Sequence, residues 1–400
     1  MKRYFKCNAI KLILFLCFYL CFYTSTATAK TYLPFNLQEI QTQLDIAMHS
    51  RLTSYNLSYI GDPSTIKVDV SKIINNIYDK DDYLKYTCKS YKYTAFAKGS
   101  IITIKFNFSY WNTLTEDIYV EKEVNKILTR IITPDMNSYE KEKKIHDWIV
   151  KNVQYDTSLT NHSDYDALIY PYKTVCQGYS LLAYKMLNKA GIPTKIIEGT
   201  SRGEAHTWNL VNLDGLWYHL DITLDDPITD VLSSINYDYY NLTDSQINVS
   251  HSWVKTYPTS KTDFSKSVRL KLTSDDKDSA FYAQLFSDLG LIYLSDAYTA
   301  HNSLELKSRL LSAVKYRKSS VNLRYVNSTS LPTDIEYALS DIPGVISYSY
   351  SKVDYARTIQ SNDVIFKLKI NYFLFPIFNS NDFPLIKSRV LAGSPINFAV

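Results

Sequence analysis

The stretch that most limits what this chain can become runs from Thr174 to Pro227: TVCQGYSLLAYKMLNKAGIP, TKIIEG, then HTWNLVNLDGLWYHLDITLDDP. It reads as a helix, a strand and a hairpin. Tyr179, Leu182, Ala183, Met186 and Leu187 recur at helical spacing and predict one buried face. Gly191 with Pro193 soon after predicts where the helix stops. Cys176, three residues before Tyr179, falls on the same face at the helix N-terminus, where aligned peptide dipoles favour thiolate over thiol. Asp214-Gly215 between Leu213 and Leu216 predicts a two-residue turn. That turn places 213 opposite 216, 210 opposite 219, 208 opposite 221 and 206 opposite 223. His206 and Asp221 then become diagonal neighbours on one sheet face, roughly 7–8 Å apart at Cα. A carboxylate there can hold one imidazole nitrogen and leave the other for a thiol. His219 shares the face with Asp221, so spacing by itself accepts it as a rival base. Spacing does not bring Cys176 to either histidine.

At these residues the stretch resembles the transglutaminase-like superfamily of papain-type cysteine enzymes, in its bacterial exported form. The matching signatures are Val175-Cys176-Gln177-Gly178-Tyr179, His206-Thr207-Trp208-Asn209-Leu210-Val211 and Trp217-Tyr218-His219-Leu220-Asp221-Ile222-Thr223, with Asp225-Asp226-Pro227 after them. The likeness extends from the helix around Ile145 and Trp148 to near Trp253. It implies an α+β fold: a papain-like core in which the cysteine helix packs on an antiparallel sheet. It also implies Cys176 as nucleophile, His206 in preference to His219 as general base and acid, and Asp221 as its partner, with no metal or cofactor. Gln177, Trp208 and Tyr179 become candidates for the substrate cleft, and the loop from Gly199 to Glu204 a candidate gate. Thr207 and Leu224 depart from the commoner pattern, at positions expected not to touch the triad.

The first 29 residues read differently. Lys2, Arg3, Lys6 and Lys11 precede an apolar run from Leu12 to Tyr23, and Ala27-Thr28-Ala29 offers a small-x-small cleavage site. That predicts a secretory signal peptide, its apolar run being too short to span a bilayer. Removing its four basic residues from the chain's 44 leaves 40 against 40 acidic, so charge points to no nucleic acid or anionic membrane partner. Of five cysteines only Cys88 and Cys176 lie beyond it, too few for a disulfide scaffold. A bridge between them would disable the site, and Cys88 is read as a small core or surface residue.

The chain divides into signal peptide (1–29), N-terminal α+β module (30–130), transglutaminase-like domain (131–255), a second α+β module (256–375) and a tail of unassigned role (376–400). The flanking modules read alike. Ile40, Leu44, Ala47 and Met48 match Leu306, Leu310, Ala313 and Val314. The run Asn56 to Ile60 matches Asn322 to Val326, Tyr93 matches Tyr355, and Ile102 to Trp111 matches Val364 to Phe373. Tyr139 to Asn152 predicts an amphipathic helix capped by Asn137 and Glu140, with His146 expected at its solvent surface. The absence of H-E-x-x-H and Cys-x-x-Cys argues against zinc, and ten glycines supply no phosphate loop. The expected activity is amide acyl transfer through a thioester, as crosslinking, deamidation or peptide hydrolysis, on an extracellular, cell-wall or surface protein. A catalytically silent envelope scaffold is the competing expectation. Oligomeric state is not legible.

Overall fold

Many helix starts among the described residues are set by short polar side chains that take up the first free N–H groups. The computed structural model describes residues 36–373 apart from 227–234, 275–276, 327, 341, 343, 356 and 359–361. The expected signal peptide, the tail from 376 and Pro227 lie outside the described residues. Asn36 accepts the Glu39 N–H at the start of α1 (Leu37–His49), which buries Ile40, Leu44, Ala47 and Met48 as their spacing predicts. Next come β1 (Ser54–Ile60), α2 (Ile66–Tyr78), α3 (Asp82–Thr87), β2 (Cys88–Lys98) and β3 (Ile101–Tyr110). The strands form a sheet in the order β1-β3-β2, with Leu57 opposite Ile104 and Tyr59 opposite Ile102.

The sequence pattern predicts no helix or strand over 114–131, yet α4 (Leu114–Ile131) stands there. A Thr113–Glu116 capping box starts it, and Val120, Val124 and Ile127 form its buried stripe. The expected box of Asn137 and Glu140 starts α5 (Ser138–Asn152). A parallel pair, β4 (Gln154–Tyr155) and β5 (Lys173–Thr174), brackets α6 (Asp164–Leu168) and leads into α7 (Cys176–Lys189). Then follow β6 (Thr194–Ser201), β7 (Glu204–Leu213), β8 (Leu216–Leu220), α8 (Ile222–Asp225), α9 (Asp244–Ile247) and β9 (His251–Trp253). These four strands form one sheet, in the order β8-β7-β6-β9 and antiparallel throughout. The stretch from Gly199 to Glu204 is no loop: Ser201 pairs with Glu204, and only Arg202-Gly203, both at positive φ, turn the chain.

The cysteine helix sits in the main core. Leu182, Ala183, Met186 and Leu187 are fully buried and cluster with Ile145 and Ile149 of α5 and Val211 and Tyr218 of the sheet. Removing one such side chain, Met186→Ala for example, costs about 2–5 kcal/mol. Ile197, Trp208 and Leu210 form a second cluster with Leu242 and Ile247. Strand alternation separates the two, since Trp208 and Leu210 point away from the face that presents Val211 and Leu213.

Beyond the sheet come α10 (Phe264–Thr273), α11 (Ser279–Asp288), β10 (Thr299–Ala300), α12 (Ser303–Lys315), β11 (Ser320–Tyr325), α13 (Leu331–Ser340), β12 (Val345–Asp354) and β13 (Val364–Tyr372). Their sheet runs β10-β11-β13-β12, with Leu323 opposite Phe366 and Tyr325 opposite Val364. From α1 to β3 the order is helix, strand, helix, helix, strand, strand, and from α12 to β13 it is helix, strand, helix, strand, strand; both sheets seat their last strand between two others. The chain separates into two compact units. One runs to Lys80 and takes in Ser90–Ser109; the other holds Asp81–Lys89 and continues from Tyr110.

Candidate active site

Val175, in extended conformation, caps α7, and Cys176 is its first residue. The first turn lies close on the preceding loop. A Cβ on Gly178 would come within 1.9 Å of Thr174 Oγ1 and 2.6 Å of the Ser163 carbonyl, so glycine is required there. Ser180 Oγ donates to the Cys176 carbonyl within the helix (2.9 Å) and meets Thr207 Oγ1 of β7 (3.3 Å), while Asn209 Nδ2 of the same strand donates to the Ser180 carbonyl (3.1 Å).

The hairpin keeps the predicted register from Leu213–Leu216 through Leu210–His219 to Asn209–Leu220. The expected 208–221 and 206–223 pairs do not form. Strand β8 stops at Leu220 because Asp221 Oδ1 accepts the Leu224 N–H (3.2 Å) and starts α8. Asp221 Oδ2 remains for His206, whose Nε2 lies 2.7 Å away. The Cys176 sulfur is hydrogen-bonded in turn by His206 and by the backbone and side chain of Thr207. Thr207 and Leu224, expected to stand clear of these groups, both touch them.

Burial works against every charge here, and the partners overcome it. The Asp221 charge and hydrogen bond, with Cys176 behind them, push His206 up to about 10. Its bond to His206, that ring's charge and the Thr207 donors hold the Cys176 thiol below its ordinary value. Asp221, fully buried, sits well below the usual carboxylate range because His206 and His251 both donate to it. The favoured state is a thiolate beside an imidazolium that a carboxylate holds in place.

His251 escaped the sequence reading. It lies on β9 opposite Ser201, 2% exposed, with Nε2 3.0 Å from Asp221 Oδ2. Only the His-x-Trp alternation of Ser252's neighbours hinted at a half-buried strand, and nothing in it points to Asp221. His219, the rival base, is engaged elsewhere: its Nδ1 accepts the Trp208 indole N–H (2.9 Å) and its Nε2 faces Asp244 (2.9 Å). Of the cleft candidates, Trp208 and Tyr179 are each 1% exposed. Trp208 stacks beneath His206, and Tyr179 donates its hydroxyl to Asp226, so neither supplies cleft surface. Gln177 is half-buried, its Nε2 donating to the Tyr86 carbonyl (2.8 Å). His146 is not at the surface but sealed between Asp147 (3.1 Å) and Asp225 (3.2 Å). Neither Cys88 nor Cys176 is in a disulfide.

The ligand atoms of His206, Asp221 and His251 lie within 4.8 Å of one another. Each imidazole already shares a proton with the carboxylate at hydrogen-bond distance, so an ion would have to displace both protons. The donors present fit a hydrogen-bonded group.

A thiol, an imidazole and a carboxylate thus stand in one hydrogen-bonded line at the end of a helix on an antiparallel sheet. The family model for the Transglutaminase-like superfamily matches residues 125–222, which carry all three. The chain carries a transglutaminase-like domain. Kyphoscoliosis peptidase of Mus musculus is 25% identical over 134 residues, covering 29% of this chain and 20% of that protein. Its Homo sapiens counterpart is 26% identical over 153 residues, covering 32% and 23%. The chain thus matches only about a fifth of these curated relatives' length. A crystal structure of a TGase aligns with 48% of this chain and 55% of its own at 14% identity and a TM-score of 0.24, too loose a fit to transfer detail. The α+β architecture with its cysteine helix on an antiparallel sheet fits the transglutaminase-like core.

Proposed function

We propose that this chain is an exported cysteine acyltransferase or peptidase that acts on carboxamides of extracellular or envelope protein. The observation that carries this reading is the Cys176–His206–Asp221 line, with its lowered thiol and raised imidazole. The Cys176 thiolate attacks the carboxamide carbon, and N–H groups in the first turn of α7 stabilise the oxyanion. As the C–N bond breaks, His206 gives its proton to the departing amine or ammonia, leaving a thioester. Neutral His206 then takes a proton from an incoming lysine amine or a water as the C–S bond breaks. An amine yields an isopeptide crosslink, and water yields deamidation or proteolysis. The peptidase relatives favour water at this second step. Export rests on the N-terminal signal pattern.

The test is mass spectrometry of protein treated with iodoacetamide near neutral pH, wild type against His206→Ala. Fast alkylation of Cys176 but not Cys88, slowed in the variant, is expected, after which amine-donor and peptide-hydrolysis assays separate the two outcomes of the thioester. Equal, slow labelling of both cysteines overturns the enzyme reading and leaves the scaffold.

A further inference from the structure

Asp221 holds two imidazoles, and the reaction as written uses only one. Its Oδ1 takes the Leu224 N–H, while its Oδ2 takes His206 at 2.7 Å and His251 at 3.0 Å. A carboxylate only accepts, so each Nε2 carries the proton it shares. The other ring nitrogen, Nδ1, is met by Ser250 Oγ at 2.8 Å, and when that nitrogen is bare the serine donates to it. Ser250 thereby fixes the tautomer that puts an N–H on Asp221. The ring is packed against Trp208, with centroids 4.9 Å apart, and against Tyr239 at 5.6 Å, so it cannot turn away. Sheet pairing delivers it: β9 lies antiparallel on β6, which pairs with the strand of His206. Gly199 keeps the space between open, since a Cβ there would stand 2.9 Å from Trp208 and 2.1 Å from the Ser252 carbonyl. His251 also lies beyond residue 222, where the family match ends.

We propose that His251 is a positioning residue for the Cys176–His206 pair: it pins the Asp221 oxygen that orients His206. The inference rests on the proposed function. During the reaction His206 alternates between charged and neutral, and its own grip on Asp221 changes with it. A second donor on the same oxygen keeps the carboxylate aimed while that happens. Without it, Asp221 is held through Oδ1, the end that caps α8, and at Oδ2 by His206 alone, whose grip changes as the ring gains and loses its charge.

The test is the rate of Cys176 alkylation by iodoacetamide as a function of pH, with a thermal melt of each variant. His251→Phe keeps a flat ring and loses the donor; His251→Gln keeps an N–H near the Nε2 position. Expected is a rate at pH 6 at least tenfold lower in His251→Phe, with the midpoint of the pH profile moved up. His251→Gln should stay within threefold of wild type, and Ser250→Ala should fall between. Should His251→Phe fail to fold, the Gln and Ser250→Ala pair carries the test: an unmoved midpoint in Ser250→Ala then overturns the proposal. A folded His251→Phe whose profile matches wild type, or matches a slowed His251→Gln, overturns it also. Asp221→Asn separates the layers. A wild type no faster than Asp221→Asn overturns the proposed function and this inference together, while a fast wild type matched by His251→Phe overturns this inference alone.

Discussion

Two histidine–aspartate pairs flank the four-residue helix α8, and only one stands beside a thiol. At its N-terminus Asp221 holds His206, whose side chain is 9% exposed; at its C-terminal end Asp225 faces His146, and both are fully buried. Residue types and contact lengths are similar, 2.7 Å against 3.2 Å. Their surroundings differ. His206 carries its second nitrogen to Cys176 at the rim of the sheet. His146 is closed in by Asp147, Tyr237 and Tyr240, with its charged form favoured against burial by the two carboxylates. A buried ion pair is weak evidence of function, and what distinguishes a reactive one is a nucleophile and a path to solvent.

Substitution separates the pairs most sharply. His206→Ala should slow Cys176 alkylation at pH 7 by about tenfold to a hundredfold, by loss of thiolate, with a smaller loss of stability in a urea melt, because buried Asp221 keeps His251 as a donor. His146→Leu should do the reverse, lowering stability by about 3–5 kcal/mol because Asp225 is left buried and uncompensated. In whatever fraction stays folded its alkylation rate should match wild type; a slowed rate would mean the two pairs act as one unit.

The pH dependence is the next largest contrast. Since Cys176 titrates below its ordinary value and His206 at about 10, the ion pair forms as pH rises through the thiol midpoint and persists to about 10. The alkylation profile of folded protein should therefore reach its plateau at lower pH than that of the urea-denatured chain. The stability due to charged His206 is complete below its unfolded value and is lost as pH climbs towards 10.

The smallest effect sits behind His146. Burial pushes Glu142 up to about 7, against its bonds from Tyr240 and Asn241. Its folded form holds a proton the unfolded chain has released, so stability falls as pH rises from 4.5 towards 7. Glu142→Gln should raise stability by roughly 2 kcal/mol at pH 8 and hardly at all at pH 4, measured by paired urea melts.

These contrasts also mark where sequence reading stops. Local rules suffice for the Asn137 cap, for the face of α7 that presents Leu182 and Met186, and for a hairpin register set by Asp214-Gly215. They fail where one residue serves two structures. Asp221 reads as strand by alternation, but a carboxylate three residues before Leu224 is equally a helix cap, and the cap wins. His146 looks solvated beside Lys143, Lys144 and Asp147, since only tertiary packing brings Asp225 over it. His251 is invisible for the same reason, its partner lying thirty residues away in sequence through a strand pairing no local pattern encodes.

The short helix α3 bears on how the domain could be dissected. Its residues belong to the same compact unit as the cysteine helix, although α1 and α2 before it do not. The Tyr86 carbonyl holds Gln177, Asp82 takes the Ile196 N–H at 3.0 Å, and Lys85 meets Glu198 at 2.9 Å. A fragment trimmed to the matched family segment would begin some forty residues too late to include this brace. It would also end before His251. A self-sufficient piece must begin by Asp81 and run past Leu291, the last residue of the core around α7. The compact unit is thus far longer than the segment a motif outlines.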